Sequence, residues 1–219
     1  MDIRADLSEL VCVTPADWQW SASPQADVSR VMLDRVGDEV AVATSFVRYA
    51  ENSEFPEHGH ALGEEYVVIE GEFADESGRY PVGSYVRNPP GTKHSPFSEP
   101  GCLIWVKLRQ FDTADLAHFD VALNTEIPSA GWSERELHRF ELEVVREFVA
   151  AADEDITFAA ISRVQEILIL AGEVAVTIGK RSSLSLPERS WLRVPPDQEV
   201  LLTTNAATRL FTKTRPVYR

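Results

Sequence analysis

The sequence is short of cysteine, of positive charge and of long apolar runs, and each shortage removes a class of protein. Only Cys12 and Cys102 occur in 219 residues, too few for a disulfide framework or a four-cysteine zinc site. Against 35 Asp plus Glu stand 21 Lys plus Arg, a formal net charge of -14. Phosphate backbones and anionic lipid surfaces repel such a chain, so neither nucleic acid nor a membrane is expected as a partner. The longest apolar stretches, such as ILILA at 167–171, are far too short to span a bilayer. The opening MDIRADLSELVCV has early acids and no apolar core, so it does not read as a signal peptide, and a cytoplasmic location is the expectation. What is present is an ordinary folded composition, 44% apolar and 26% charged, with enough chain for one large domain or two small ones.

The chain repeats itself. LDRVGDEV from Leu33 answers to LHRFELEV from Leu137, and VRYAENSEF from Val47 to FVAAADEDI from Phe148. Further on, EYVVIEGE from Glu65 answers to EILILAGE from Glu166, and NPPGTKH from Asn88 to VPPDQEV from Val194. One such match is within chance, but four in the same order imply two copies of one unit. EVAVATSFVRY, EYVVIEGEF, GCLIWVKL, QEILILAGEVAVTI and EVLLTTN are β-branched stretches bounded by Gly, Pro or Asp, and they read as strands. SERELHRFELEVVREFVAAAD from Ser133 opens like a helix capping box, with Leu137, Phe140, Val144 and Phe148 at helical spacing. Its repeat partner reads as strand, turn, strand, so a strand pair is expected here as well. Many strands without intervening helices predict an all-β fold of two tandem barrels. The expected units are 1–110, with a short leader, and 111–219, beginning with a polar connection.

FPEHGHALGEEYVVIEG, from Phe55, sets hard polar groups against an apolar run. Alternate residues of a strand share a face, so His58 and His60 project together. Glu64 has the same parity beyond a turn at Gly63. His94, three residues after Gly91, can join them only if a barrel pairs the two segments. Three imidazoles and a carboxylate suit one divalent transition metal and leave positions open for water or a ligand. His118 and His138 stand outside any such pattern. Glu65 has the opposite parity, and its repeat partner Glu166 persists, so a structural role is expected for it, such as an ion pair at a strand edge.

HGHALGEEYVVIEG and GSYVRNPPGTKH, from Gly83, resemble the two cupin motifs. Together they look like a ChrR-type cupin, the carboxy-terminal domain of a family of zinc-dependent anti-sigma factors. The detailed likeness covers about 18–108, and the second half resembles an eroded cupin. The resemblance implies two double-stranded β-helix (jelly-roll) barrels and places the metal ligands on His58, His60, Glu64 and His94. Zinc is the metal it favours, with iron or another divalent ion as alternatives. It also implies a homodimer. Where cupins often carry an asparagine after the last histidine, this chain has Ser98 and Glu99.

Aligned on the repeat, His58, His60, Glu64 and His94 correspond to Ala159, Ile161, Gln165 and Val200, so no ligand type remains and a filled, structural second barrel is expected. Tyr66, Val68, Tyr85, Phe97 and Trp105 are candidate pocket-lining residues. No phosphate loop, nucleophile elbow or general base is recognisable, so no catalytic residue is assigned. The family's helical sigma-binding domain, with its histidine and cysteine cluster, has no counterpart here, so direct sigma-factor binding is not expected. The first functional reading is a sensory or regulatory module that binds a small molecule. The alternative is a metal-dependent dioxygenase or related enzyme acting on a small chelating substrate.

Overall fold

The computed structural model describes residues 1–38, 40–180 and 183–215. Glu39, the first residue of one expected strand, lies outside them, as do 181–182 and 216–219 of the expected second unit. Among the described residues the only helical element is the 3-10 turn Pro15–Asp17; the rest of the regular structure is strand. None of the described helices is long and apolar enough to cross a membrane.

The chain forms two compact units, and each is an all-β barrel of cupin type. In the first, the long strand Glu64–Asp75 pairs with Ser84–Asn88 on one side and Cys102–Leu108 on the other. Cys102–Leu108 continues the sheet to Val42–Tyr49 and then Val28–Val36. A separate two-stranded sheet joins His58–His60 to Thr92–His94. Tyr49, Tyr66, Val68, Phe73, Val86, Ile104 and Val106 form much of the core. In the second unit, Val164–Ala171 pairs with Trp191–Val194 and Thr208–Arg215, and the sheet runs on to Glu143–Ala150 and Trp132–Phe140. Its core is mainly aliphatic, built on Ile167, Ile169, Val176, Leu192, Val200, Leu202 and Leu210.

The segment with helical spacing is therefore two strands. Val144 and Phe148 lie four residues apart, a spacing that fits one helix face and one strand face equally well. Valine at 144, 145 and 149 favours the strand, where branched side chains pack on a pleated surface.

Strand register bears out the duplication residue by residue. Glu65 faces Arg87 and Lys107, while Glu166 faces Arg193 and Lys213. The β-bulges fall at matching places: the pairing skips Leu33 in one unit and Leu137 in the other. Gly71 and Gly172, another repeat pair, both take left-handed backbone.

The division differs from a cut at residue 110. The first unit is Met1–Ala5 with Gln19–Leu123, and the second is Asp6–Trp18 with Asn124–Arg219. Val11–Val13 runs antiparallel to Trp191–Val194 with Val11 and Val13 buried, while Leu10 and Cys12 pack on the second core. Phe119–Ala122 stays with the first unit by pairing with Ser84–Asn88. The expected leader is thus a strand of the second barrel, held there by its alternating apolar residues.

Candidate metal centre

Antiparallel pairing sets His94 opposite His58 and Thr92 opposite His60. The three imidazoles form a triangle, with ring centroids 5.0 Å apart for His58–His60, 4.9 Å for His58–His94 and 4.7 Å for His60–His94. Glu64 closes it. The chain turns at Gly63, whose φ of +75° is open to glycine at little cost and whose Cα faces the Phe111 ring. Glu64 Oε2 then lies 3.6 Å from His60 Nε2 and 3.4 Å from His94 Nε2. One donor atom from each of the four residues falls within 4.8 Å of the others. Ligands about 2.1 Å from one tetrahedral ion stand roughly 3.4 Å apart, the scale of the two Glu64 distances.

The histidines are oriented from behind. His58 Nδ1 is 3.0 Å from the Pro56 carbonyl, and His94 Nδ1 is 3.0 Å from Asp75 Oδ2. Such partners accept a hydrogen bond from Nδ1–H, which holds the proton there and leaves the Nε2 lone pair facing the cluster. Asp75 is itself held by the backbone N–H groups of Ser77 and Gly78. Asn88 donates to Glu64 Oε2 at 3.3 Å. His60 Nε2 and His94 Nε2 are buried and have no hydrogen-bond partner, an arrangement that is costly unless something accepts both lone pairs. A cation at the centre of the triangle satisfies that demand, and the donor set fits a divalent transition metal.

Electrostatics favour the neutral form at His58 and His60, and act the other way at His94. Burial, followed by the charge of His94, pushes His60 down to about 4. Burial also lowers His58. For His94 burial acts downward, but the Asp75 hydrogen bond and the Glu64 charge outweigh it and the pKa rises. Burial raises Glu64, against the opposing pull of His94 and His58.

A cavity of about 310 Å³ opens on His58, His60 and Glu64. Its walls include Val47, Tyr49, Phe55, Ile104 and Val106, with Arg30 and Arg35 among them. None of Tyr66, Val68, Tyr85, Phe97 or Trp105 lines it. Tyr66 and Val68 belong to the core, and the Tyr85 hydroxyl donates to Glu65 at 2.7 Å. Phe97 lies under Arg79, and Trp105 under Lys107. Parity alone does not say how far along the barrel a residue sits. Ser98 and Glu99 are also engaged elsewhere: Ser98 Oγ donates to the Glu72 carbonyl at 2.6 Å and Glu99 pairs with Arg79 at 2.7 Å.

Glu65 lies on the opposite side of the sheet from Glu64. It accepts from Arg87 at 3.0 Å, and both side chains are fully buried. The ion pair is therefore in a central strand of the interior, not at an edge. Glu166 repeats it, accepting from Arg215 Nε at 2.7 Å and Trp191 Nε1 at 3.3 Å.

In the second unit Val200 faces Phe158 as His94 faces His58, so Phe158, one residue before the aligned Ala159, takes the place of His58. Val200 is in the core, but Ala159 is exposed and Ile161 half-buried, and both line a cavity of about 310 Å³. That mouth of the second barrel is open, which departs from the filled core expected on apolar content. Gln165, at the Glu64 position, donates to the carbonyls of Ala159 and Gln198.

Residues 8–112 match the model of the ChrR Cupin-like domain. A cupin 2 conserved barrel domain protein from Leptotrichia buccalis is similar at 12% identity with a TM-score of 0.62, over 89% of this chain and 91% of that one. Residues 8–112 are thus similar to the ChrR Cupin-like domain, and the chain has the fold of solved cupins. The chain also resembles the bacterial pirin YhhW from Escherichia coli, solved with nickel(II), at 12% identity and a TM-score of 0.68, over 95% of this chain and 99% of that one. A salicylate 1,2-dioxygenase from Pseudaminobacter salicylatoxidans is similar at 11% identity and a TM-score of 0.61, over 79% of this chain and 70% of that one. At such identities the likeness is one of fold. No curated protein matches the sequence.

Asp75, Asn88 and Arg30 went unmarked in sequence reading. Asp75 lies outside both motifs and Asn88 within the second, and strand pairing brings them to the site. Their one available signal was a polar side chain at the end of a strand.

Proposed function

We propose that the first barrel holds one divalent transition metal on His58, His60, Glu64 and His94, and that this centre captures a small molecule for a sensory or regulatory purpose. The observation that carries the reading is the pair of buried, partnerless Nε2 atoms of His60 and His94 converging on Glu64. Zinc suits the donor set and would act as a Lewis acid or clamp without changing redox state. The second barrel serves as scaffold to this centre, and the chain forms a homodimer, which light scattering tests.

A second reading is favoured by the cavity beside the ligands. About 310 Å³ is room for a small substrate as well as for an effector. With iron bound, the same residues would support oxygenation of a chelating substrate, the kind of chemistry named for the salicylate 1,2-dioxygenase that shares the fold. In either case the chain's own part is to hold the ion, fix the imidazoles through Pro56 and Asp75, and shelter the ligand among apolar walls.

Metal analysis of protein purified without chelators or nickel resin tests both readings. Close to one equivalent of tightly held zinc, without turnover, supports the regulatory module. Stoichiometric iron with substrate-dependent oxygen uptake supports the enzyme. A chain that retains no transition metal overturns both.

A further inference from the structure

The cavity wall opposite the histidines carries a cation that the metal reading does not use. Register places it: Arg30 faces Val47, which faces Ile104, and all three line the cavity. Four residues along the strand Val42–Tyr49, Arg35 faces Ala43, Ala43 faces Leu108 and Leu108 faces Glu64, again all on the cavity. The two arginines differ in what they touch. Arg35 donates to the carbonyls of Gly37 and Asp38. The Arg30 side chain has no hydrogen bond or ion pair among the described residues, and its Nε is buried without a partner.

That is an unusual position in a chain with a net charge of -14, where carboxylates are in excess and few arginines need go unpaired. A half-buried guanidinium loses hydration and is stabilised only when something anionic replaces the water. Burial and the nearby charge of Arg35 both lower the pKa of Arg30, the direction expected where no anion compensates. Its planar fork matches a carboxylate, with two parallel N–H groups meeting two oxygens.

We infer that the cavity takes a small organic acid. Arg30 receives the ligand's carboxylate, Val47, Phe55 and Ile104 cover its apolar body, and a second donor group of the ligand reaches the His58, His60, Glu64 and His94 cluster. The last element rests on the metal reading proposed above; the role of Arg30 does not.

Mandelate and mandelamide test this, since they share a hydroxyl and a phenyl body and differ in charge. Each is titrated calorimetrically into the full chain, both cobalt(II)-loaded and metal-free. Wild type should prefer mandelate by about tenfold or more, the scale of one charge-assisted contact. Arg30→Gln should bring the two ligands to within about twofold while leaving mandelamide affinity and the melting temperature unchanged, because Arg30 has no partner to lose. Persistence of the preference in Arg30→Gln overturns the inference, as does failure of wild type to bind mandelate in either form. If the chain holds no cobalt, the metal reading fails alone, and the metal-free titration decides the role of Arg30 by the same criteria. Should Arg30→Gln not fold, Arg30→Lys decides: mandelate binding weakened with mandelamide unchanged upholds the inference, and both unchanged overturns it.

Discussion

Asp75 and His94 come from segments 19 residues apart and meet at 3.0 Å, carboxylate oxygen to Nδ1. The contact fixes which nitrogen of His94 faces the cluster and makes that nitrogen more basic. Asp75→Asn should therefore lower metal affinity by about 10- to 100-fold with all four candidate ligands still in place. Competition against a chromogenic chelator measures this, and an unchanged affinity would mean that His94 is oriented by packing alone.

Replacing a ligand should do more than loosening one. His60→Ala and His94→Ala each remove one of the four donors and open the site to water, so tight metal binding should be lost. His118→Ala should retain it. Total metal should approach one equivalent per chain, because Phe158, Gln165 and Val200 offer the second barrel neither imidazole nor carboxylate. Two equivalents, with the second lost on changes in the second barrel, would contradict this.

Neighbouring glutamates should separate cleanly. Glu64→Gln leaves the fold intact and weakens metal binding. Glu65→Gln strips the charge from a fully buried partner of Arg87, and breaking such a pair costs about 3–5 kcal/mol, while metal affinity per folded chain stays close to wild type. Urea denaturation paired with a metal titration reads both effects. The reverse ranking would falsify the assignment of sheet faces.

Gly63→Ala should destabilise more than Gly91→Ala. Both residues have positive φ, which costs other residues about 1–2 kcal/mol. At Gly63 an added Cβ would also come within 2.4 Å of the Phe111 ring, whereas at Gly91 nothing lies within 4 Å. Asp197 already occupies the repeat position of Gly91 with φ of +61°, so Gly91→Asp should be tolerated best. Melting temperatures rank the three variants.

Much of this was legible in the sequence because strands print their geometry directly. Parity put His58, His60 and Glu64 on one side and Glu65 on the other, and the repeat overruled the helical spacing of Val144 and Phe148. Interior placement was harder to see. An ion pair of Glu65 was expected at a strand edge, yet its strand lies mid-sheet and its partner Arg87 is buried with it; buried charges are rare. The exposure of Ala159 and the cavity around Ile161 could not be foreseen, since an apolar residue type does not say whether a barrel mouth is closed. Asp75 and Arg30 reach the site through pairings that link distant segments, and no local pattern announces them.

The pairing of Val11–Val13 with Trp191–Val194 has a consequence for how the protein is made. Val11–Val13 is synthesised long before its strand partner, so those three residues must wait until Trp191–Val194 emerges. The first barrel can close in the meantime, because its own sheet is assembled from Gln19–Leu123 with only Met1–Ala5 added. The second barrel cannot complete its sheet edge until these two segments meet, a closure of high contact order and therefore slow. Until then both partners present unpaired backbone to their surroundings, the condition in which nascent β proteins associate wrongly. Maturation of the second barrel, and not of the first, is thereby tied to synthesis as far as Trp191–Val194.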